Sequence, residues 1–297
     1  MSFDVERVRK SSRRIHKFLK KNPKRPSSDA IHRLRTGVRS LETVFETLGL
    51  DSKKRIKRLL RDLKSVRKSA GKVRDMDVLT ADALTLGQVQ EQDCLVQLLE
   101  YLGAERNRYA RKLRRLVAAS GAQLRRDVKR NFKYTKKLLE QAEENPAGSR
   151  ALPATLAKTF QLSSELTSEP RITKNNLHPY RIKVKELRDI LQLAEGAADP
   201  RFLEMLGGVK DAIGEWHDWS VLAATAGDLL DHGPSCRLTR HLKEVVDSKF
   251  QRALLLTGQL REKYLSAAPR SNQKSRPAGK GLMPAPIINA AASIAAG

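Results

Sequence analysis

Apolar residues recur along most of this chain at spacings of three, four and seven, the period of helices that bury one stripe. Residues 4–21 form such a pattern, with Val5, Val8, Ile15, Phe18 and Leu19 on the apolar side, and Asn22-Pro23 and Pro26 break it. A second helix over Ile31–Glu46 has Ser28 or Asp29 as its predicted N-cap and Gly49 as its left-handed end. Asp51 or Ser52 is placed to cap a third, which carries Ile56, Leu59, Leu60, Leu63 and Val66 to about Ala70. Gly71 reads as a turn, and helical pattern resumes to about Leu84. Helices are predicted from Asp93 to about Ser120 and from Gln123 to Glu144, before Asn145-Pro146 closes the first half. A short helix and linker fill 149–176. Helices then follow at 177–194, 201–213, 219–230 and about Arg237–Tyr264. From Ala268 the chain is rich in Pro, Gly, Ala and Ser without a helical period, and 268–297 is read as a disordered tail.

One stretch occurs twice. Ile31–Glu46, IHRLRTGVRSLETVFE, returns as Leu177–Gln192, LHPYRIKVKELRDILQ. At a constant offset His32 matches His178, Arg35 matches Arg181, Val38 matches Val184, and Arg39 matches Lys185. On a helix the histidine and the cations three and seven residues later share one face. The opposite stripe is apolar: Leu34, Val38, Leu41 and Phe45 in one copy, Tyr180, Val184, Leu187 and Leu191 in the other. A row of cations opposite an apolar stripe is ordinarily a solvated helix face. A solvated face is free to drift in residue type, however, whereas these three positions recur at the same spacing.

Charge narrows the class of partner. The 297 residues hold 58 Lys and Arg against 33 Asp and Glu, a formal net charge of +25. A fold this basic repels itself unless a polyanion neutralises it, so the partner is nucleic acid, an anionic membrane surface or another phosphate polymer. Between Lys53 and Arg74 there are eleven Lys or Arg and one acid, Asp62, with Lys57, Arg61 and Lys64 in a cationic stripe. Arg106 belongs to a further basic run in the next long helix. The two cysteines, Cys94 and Cys236, imply neither a disulfide framework nor a zinc motif. No apolar run approaches the length that spans a bilayer, and MSFDVERVRKSSRR has no secretory h-region. The expected protein is soluble and cytoplasmic, without membrane insertion.

A second pair of segments matches in the same order. LKSVRKSAGKVRDMDV (63–78) aligns with LGGVKDAIGEWHDWSV (206–221), pairing Arg67 with Lys210, Gly71 with Gly214 and Asp75 with Asp218. The glycines read as helix-ending turns and the aspartates as N-caps. The alternative is that each carboxylate orients a neighbouring cation, Arg74 in one copy and His217 in the other. Arg67 and Lys210, one turn before the glycine, are the candidates for direct anion contact. Two motifs in one order argue for an internal duplication: an all-α fold with a first bundle at 1–148, a second at 149–267, a pseudo-two-fold between them and a shared basic groove or channel.

At these residues the sequence resembles the CHAD family, the conserved histidine α-helical domain. The resemblance is carried by HxxRxxx[R/K] at His32–Arg39 and His178–Lys185, and by the GxxRD or GxxHD segment at Gly71–Asp75 and Gly214–Asp218. It covers about residues 1–265. It implies two four-helix bundles, binding of inorganic polyphosphate in a basic channel, and association with polyphosphate granules. Members are frequently fused to a CYTH triphosphatase domain; no such segment is present, so no triphosphatase activity follows. The family's further basic residue, three after the last cation, is Arg188 in the second copy but Glu42 in the first. The first half is also the more cationic, and is expected to supply more of the binding energy.

Polyphosphate suits the pattern because it has no base to read: recognition needs a rigid line of cations, with arginine binding phosphate oxygens through two N–H groups and lysine acting as a point charge. His32 and His178 are expected to gain protons on binding. The candidate anion-binding set is therefore His32, Arg35, Arg39, Lys57, Arg61, Lys64, Arg67, Arg74, Arg106, His178, Arg181, Lys185, Arg188 and Lys210. Sequence-independent binding of RNA or DNA is the alternative. Against it, few aromatics interleave the basic stripes for base stacking; Tyr101, Tyr109, Phe132 and Tyr134 are scattered and read as core. No catalytic residue, metal site or cofactor is expected. Arg and Lys beside the two histidines repel a dication. The acids are dispersed, and the Asp75–Asp77 pair becomes Asp218-Trp-Ser in the second copy.

Overall fold

The apolar stripes read from spacing are the buried stripes. Leu34, Val38, Leu41 and Phe45, and likewise Tyr180, Val184, Leu187 and Leu191, are all buried. The computed structural model describes residues 5–87, 92–144, 151–193, 198–231 and 236–265. Its elements are α1 (Val5–Lys21), α2 (Ser28–Thr47), α3 (Lys54–Leu84), α4 (Gln92–Glu144), α5 (Ala151–Ser168), α6 (Leu177–Leu193), α7 (Pro200–Leu229) and α8 (Arg237–Leu260). A π-helical turn at Arg261–Leu265 follows α8. Among the described residues there is no strand, and no helix is long and apolar enough to cross a membrane. The segments read as the Asn145–Gly148 break and the 268–297 tail lie outside the described residues.

Three predicted interruptions are absent. α3 runs unbroken through Gly71 and Asp75, and α7 through Gly214 and Asp218. The two predicted helices between Asp93 and Glu144 are one helix of 53 residues, about 80 Å long at 1.5 Å per residue. A glycine inside a helix costs only about 1 kcal/mol relative to alanine, which burial of the flanking stripe outweighs. In α3 that stripe continues across Gly71 as Val66, Ala70, Val73 and Leu79. The predicted caps also shift. Ser27, not Ser28 or Asp29, caps α2, its side chain accepting from the Ala30 N–H at 3.2 Å. Lys53 precedes α3 without a side-chain cap, so neither Asp51 nor Ser52 fills that role. Gly49, at φ +63°, ends α2 in the left-handed conformation as expected.

α1, α2, α3 and α4 close one ring of helices: α1 packs on α2 and α4, and α3 on α2 and α4. Their core includes Ile15, Leu34, Phe45, Leu63 and Leu113. α5 to α8 form the other, with α5 on α6, α6 on α7, α7 on α8, and the π-helical turn returning to α5. Leu166, Tyr180, Leu187, Val209 and Ile213 fill that core. The two rings meet where α2 packs on α6 and α3 on α7.

Both halves also contribute to a third core. The C-terminal part of α3 (Leu79, Ala83) and the N-terminal part of α4 (Leu98, Leu102) join α7 beyond Trp219 (Leu222, Ala226) and the start of α8 (Leu238, Leu242). Cys94 and Cys236 are buried there, their sulfurs 3.9 Å apart. This shared core fixes the two hairpins to each other, and with them the faces of α3 and α7 that look into the space between the rings.

The chain's two tryptophans both lie on α7, Trp216 in the second core and Trp219 in the shared one, so their fluorescence reports the second half and its junction with the first. Leu113→Ala, in the core of the first bundle, should cost about 2–5 kcal/mol as a buried large-to-small change. The tryptophan-detected denaturation midpoint should fall with it. An unchanged tryptophan transition would show that the halves unfold independently.

A basic cluster between the two bundles

The four helices that carry the repeated motifs are the four that meet between the bundles, and their cations meet with them. α2 brings Arg35 and Arg39, α3 Arg67 and Arg74, α6 Arg181 and Lys185, and α7 Lys210. Their mutual influence is dense. The charges bearing on Arg35 include Arg74 and Arg67 from α3 and Asp218 from α7. Arg39 feels Arg67 and also Asp189 on α6. Lys185 is surrounded by Arg39, Arg181 and Lys210, with Asp189 as the countercharge 3.8 Å away. Burial first, then Arg39, pushes Lys185 down to about 7. Arg39 itself makes no ion pair or hydrogen bond among the described residues.

The histidines line the same space. The His178 and His217 rings stand 4.6 Å apart, centroid to centroid. Burial and then the opposite ring hold His178 below the ordinary histidine range, and its Nδ1 is buried without a hydrogen-bond partner. Burial and Arg181 hold His217 down as well. His32 lies further out; partial burial, Arg74 and Arg35 lower it too. All three therefore start neutral near pH 7, ready to take a proton when an anion arrives.

Four carboxylates keep the cations apart. Asp75 accepts from Arg35 at 3.5 Å, and Glu42 pairs with Arg67 at 2.8 Å. Asp189 faces Lys185. Asp218, near Arg181 and Asp75, is pushed up to about 6, chiefly by burial. Because α3 and α7 are continuous, Asp75 and Asp218 are not N-caps. Asp75 instead orients a cation, the second of the two roles its position suggested, although that cation is Arg35 and not the adjacent Arg74. Arg74 donates to Ser28 Oγ at 2.9 Å, across to the start of α2.

Gly214 has a different task from the turn read from sequence. A Cβ there would lie 2.8 Å from Arg181 Nη2. Arg181 crosses α7 through this gap, and its Nε donates to the Lys210 carbonyl at 3.0 Å. One heptad earlier, Arg188 approaches Gly207 and donates to the Leu203 carbonyl at 3.4 Å. In each case the acceptor lies four residues before the glycine. The small residue thus admits a guanidinium against the helix backbone and clamps α6 to α7. Gly71 admits nothing comparable: no atom lies within 4 Å of a Cβ built there.

The remaining candidates sit elsewhere. Lys57, Arg61 and Lys64 are exposed on the N-terminal half of α3, extending the cationic stripe away from the cluster; Arg61 lies 3.3 Å from Asp62. Arg106 braces the fold: it pairs with Asp77 at 2.5 Å and donates to the Pro26 carbonyl at 2.7 Å, tying α4 to α3 and to the turn before α2. Tyr101, read as core, is exposed, whereas Tyr109, Phe132 and Tyr134 pack against the first core. Lys72, Arg108 and Lys112 gather around the Tyr109 ring, holding it as a cation–π centre. His217 was missed as a site residue; its pairing with His178 depends on how α6 lies against α7, which no local spacing reports. Among the described residues, no group of three or more His, Cys, Asp or Glu is arranged to hold a metal ion.

These two glycine environments separate by stability. Gly71→Ala should raise stability by about 0.5–1 kcal/mol, the gain in helix propensity. Gly214→Ala gains the same propensity but collides with Arg181, and should lower the melting temperature. Thermal denaturation of the two variants checks this; equal shifts would mean that Arg181 has no need of the gap.

Comparison with known proteins agrees with this architecture. A search of curated proteins finds no match. Among solved structures, PptA from Streptomyces chartreusis aligns over 88% of this chain and 100% of its own, at 16% identity and a TM-score of 0.59. The crystal structure of the CHAD domain from the plant Ricinus communis covers 89% of each chain, at 18% identity and a TM-score of 0.52. At these identities the likeness is one of fold. The family model for the CHAD domain matches residues 6–227, most of the chain and all four helices that build the cluster, and the protein belongs to the CHAD domain family.

Proposed function

We propose that this chain is a binding module for inorganic polyphosphate, without catalytic activity, and that it associates through that polymer with polyphosphate granules. The observation that carries this reading is the merging of two cation rows into one: Arg35 and Arg39 from α2 stand with Arg181 and Lys185 from α6, and Arg67, Arg74 and Lys210 flank them. Seven cations converge against four carboxylates in a space from which water is partly excluded, so each contact with a phosphate oxygen is worth more than at an open surface. The cluster is a line of point charges and guanidinium forks, with no exposed aromatic platform among the residues that form it. That composition favours a bare phosphate polymer over single-stranded nucleic acid, whose binding relies on base stacking.

Competition at about 150 mM salt tests the ligand. With labelled long-chain polyphosphate bound, unlabelled polyphosphate should displace it at least about tenfold better than single-stranded RNA or duplex DNA at equal phosphate, a margin of about 1.4 kcal/mol. Arg35→Glu/Arg181→Glu should abolish that margin. If the three polymers compete equally and the variant behaves like charge reversal anywhere on the surface, the protein is a general polyanion binder, with nucleic acid as the alternative ligand.

The pH dependence has a defined sign. Lys185 titrates at about 7 and Asp218 at about 6 in the free protein. A polyanion favours protonated Lys185, His32, His178 and His217, and neutral Asp218, so binding takes up protons and affinity rises as pH falls. Between pH 8 and 6 the gain should be about tenfold for long chains, the worth of roughly one added charge contact. Lys185→Arg stays charged throughout and should remove the part of the slope centred near pH 7. His32→Ala/His178→Ala should flatten the lower part. A slope identical in all three proteins would show that Lys185, His32 and His178 do not take up the proton.

A further inference from the structure

We propose that the outward face of α1 is a second anion-binding rail, which takes up the polyphosphate chain where it leaves the cluster and carries it over the first bundle only. The inference rests on the polyphosphate reading and extends its site to residues that neither repeated motif contains.

α1 is amphipathic in an unusual way. Val8, Ser11, Ser12, Ile15, Phe18 and Leu19 are buried, and α1 packs on α2 and α4. It lies so close to α2 that a Cβ on Gly37 would stand 3.1 Å from the Ser11 carbonyl oxygen. Beside the buried stripe, Arg7, Lys10, Arg14 and Lys17 follow one another at spacings of three and four, and with Arg13 and Glu6 they line an open surface depression. Glu6 is engaged by Arg9 in an ion pair one turn along the same helix. Like charges at these spacings destabilise a helix by a few tenths of a kcal/mol per pair. Nothing in the packing of α1 requires them, since Lys10, Arg13 and Lys17 are exposed. A polyanion lying in the depression would turn that repulsion into attraction.

The rail is joined to the cluster at two points. At one end Arg7 donates to Gln192 at 2.8 Å and lies 4.0 Å from Asp189, the carboxylate that also faces Lys185. Two turns along, Arg14 is among the charges bearing on His32. From Arg7 to Lys17 the rail runs about 15 Å, ten residues at 1.5 Å each. A chain occupying the cluster therefore meets a continuous basic surface as it emerges along α1. The first helix of the second bundle, α5, offers no equivalent: it carries a single cation, Lys158, and an acid, Glu165, each engaged with a charged residue of α6. The groove is therefore one-sided, and the greater basicity of the first half has a place to act.

The test uses the full chain and two ligands, tripolyphosphate and long-chain polyphosphate. Lys10→Glu/Arg13→Glu/Lys17→Glu alters only exposed side chains. Arg240→Glu/Lys243→Glu/Arg252→Glu, on the exposed side of α8 in the second bundle, makes the same charge change on a helix other than the two that pack on α1. The rail predicts that the α1 variant loses about tenfold or more in affinity for long chains, while its affinity for tripolyphosphate stays within about threefold of wild type. The α8 variant should lose far less for long chains. If the two variants lose long-chain affinity equally, or if the α1 variant loses tripolyphosphate binding to the same extent, the rail is wrong while the cluster stands. If the unaltered protein shows no preference for polyphosphate over other polyanions, the functional reading fails first and the rail with it.

Discussion

The structure depends on holding like charges together. Seven Lys and Arg side chains from four helices are brought into one space, and Coulomb repulsion among them opposes folding. What overcomes it is burial on the other side of each helix: Leu34, Val38 and Leu41 on α2, Val184 and Leu187 on α6, Leu63 and Val66 on α3, and Leu206 and Val209 on α7 are all buried. Carboxylates remove part of the repulsion and set the geometry. Asp75 and Glu42 bind cations from a neighbouring helix, so each also acts as a crosslink. Burial first, and the neighbouring positive groups after it, lower the proton affinities of Lys185 and of the three histidines.

Rigidity comes from two devices. The third core joins the α3–α4 and α7–α8 hairpins across the halves, so the bundles cannot slide along each other without breaking apolar contacts. The paired arginine–glycine crossings clamp α6 to α7: Arg181 at Gly214 and Arg188 at Gly207 each give up hydrogen-bonding capacity to a backbone carbonyl. An arginine held in this way has lost most of its rotamer freedom before any ligand arrives, which lowers the entropic cost of binding. The same clamping divides the basic residues by task. Arg188 and Arg106 hold the protein together through backbone carbonyls, whereas Lys185 has Asp189 as its countercharge at 3.8 Å and Arg39 makes no ion pair or hydrogen bond among the described residues.

The two halves use the shared pattern differently. The first bundle adds a cationic stripe on the N-terminal half of α3 and another on α1, whereas α5 carries little charge. Where the second copy has Arg188, the first has Glu42, and the structure gives that departure a reason: Glu42 pairs with Arg67 beside the cluster, while Arg188 turns toward the α7 backbone. Such asymmetry suits a polymer, which can enter one end of a basic path and leave by a different one.

The helical segments, their buried stripes and the two cation rows were legible from the residues alone, because each depends only on the 3.6-residue period and on which residue types tolerate water. His32, Arg35 and Arg39, and His178, Arg181 and Lys185, were legible for that reason, as was the end of α2 at Gly49. Whether Gly71 and Gly214 break a helix was not legible. A local cost of about 1 kcal/mol is small against burial along a helix of 30 residues or more, and that burial is a property of the whole fold. That the two rows merge, that His217 meets His178, and that Cys94 and Leu98 share a core with Leu222 and Cys236 emerges from the packing of the helices. Those contacts join residues far apart in the chain, and their geometry follows from how whole helices pack, not from any spacing within one of them.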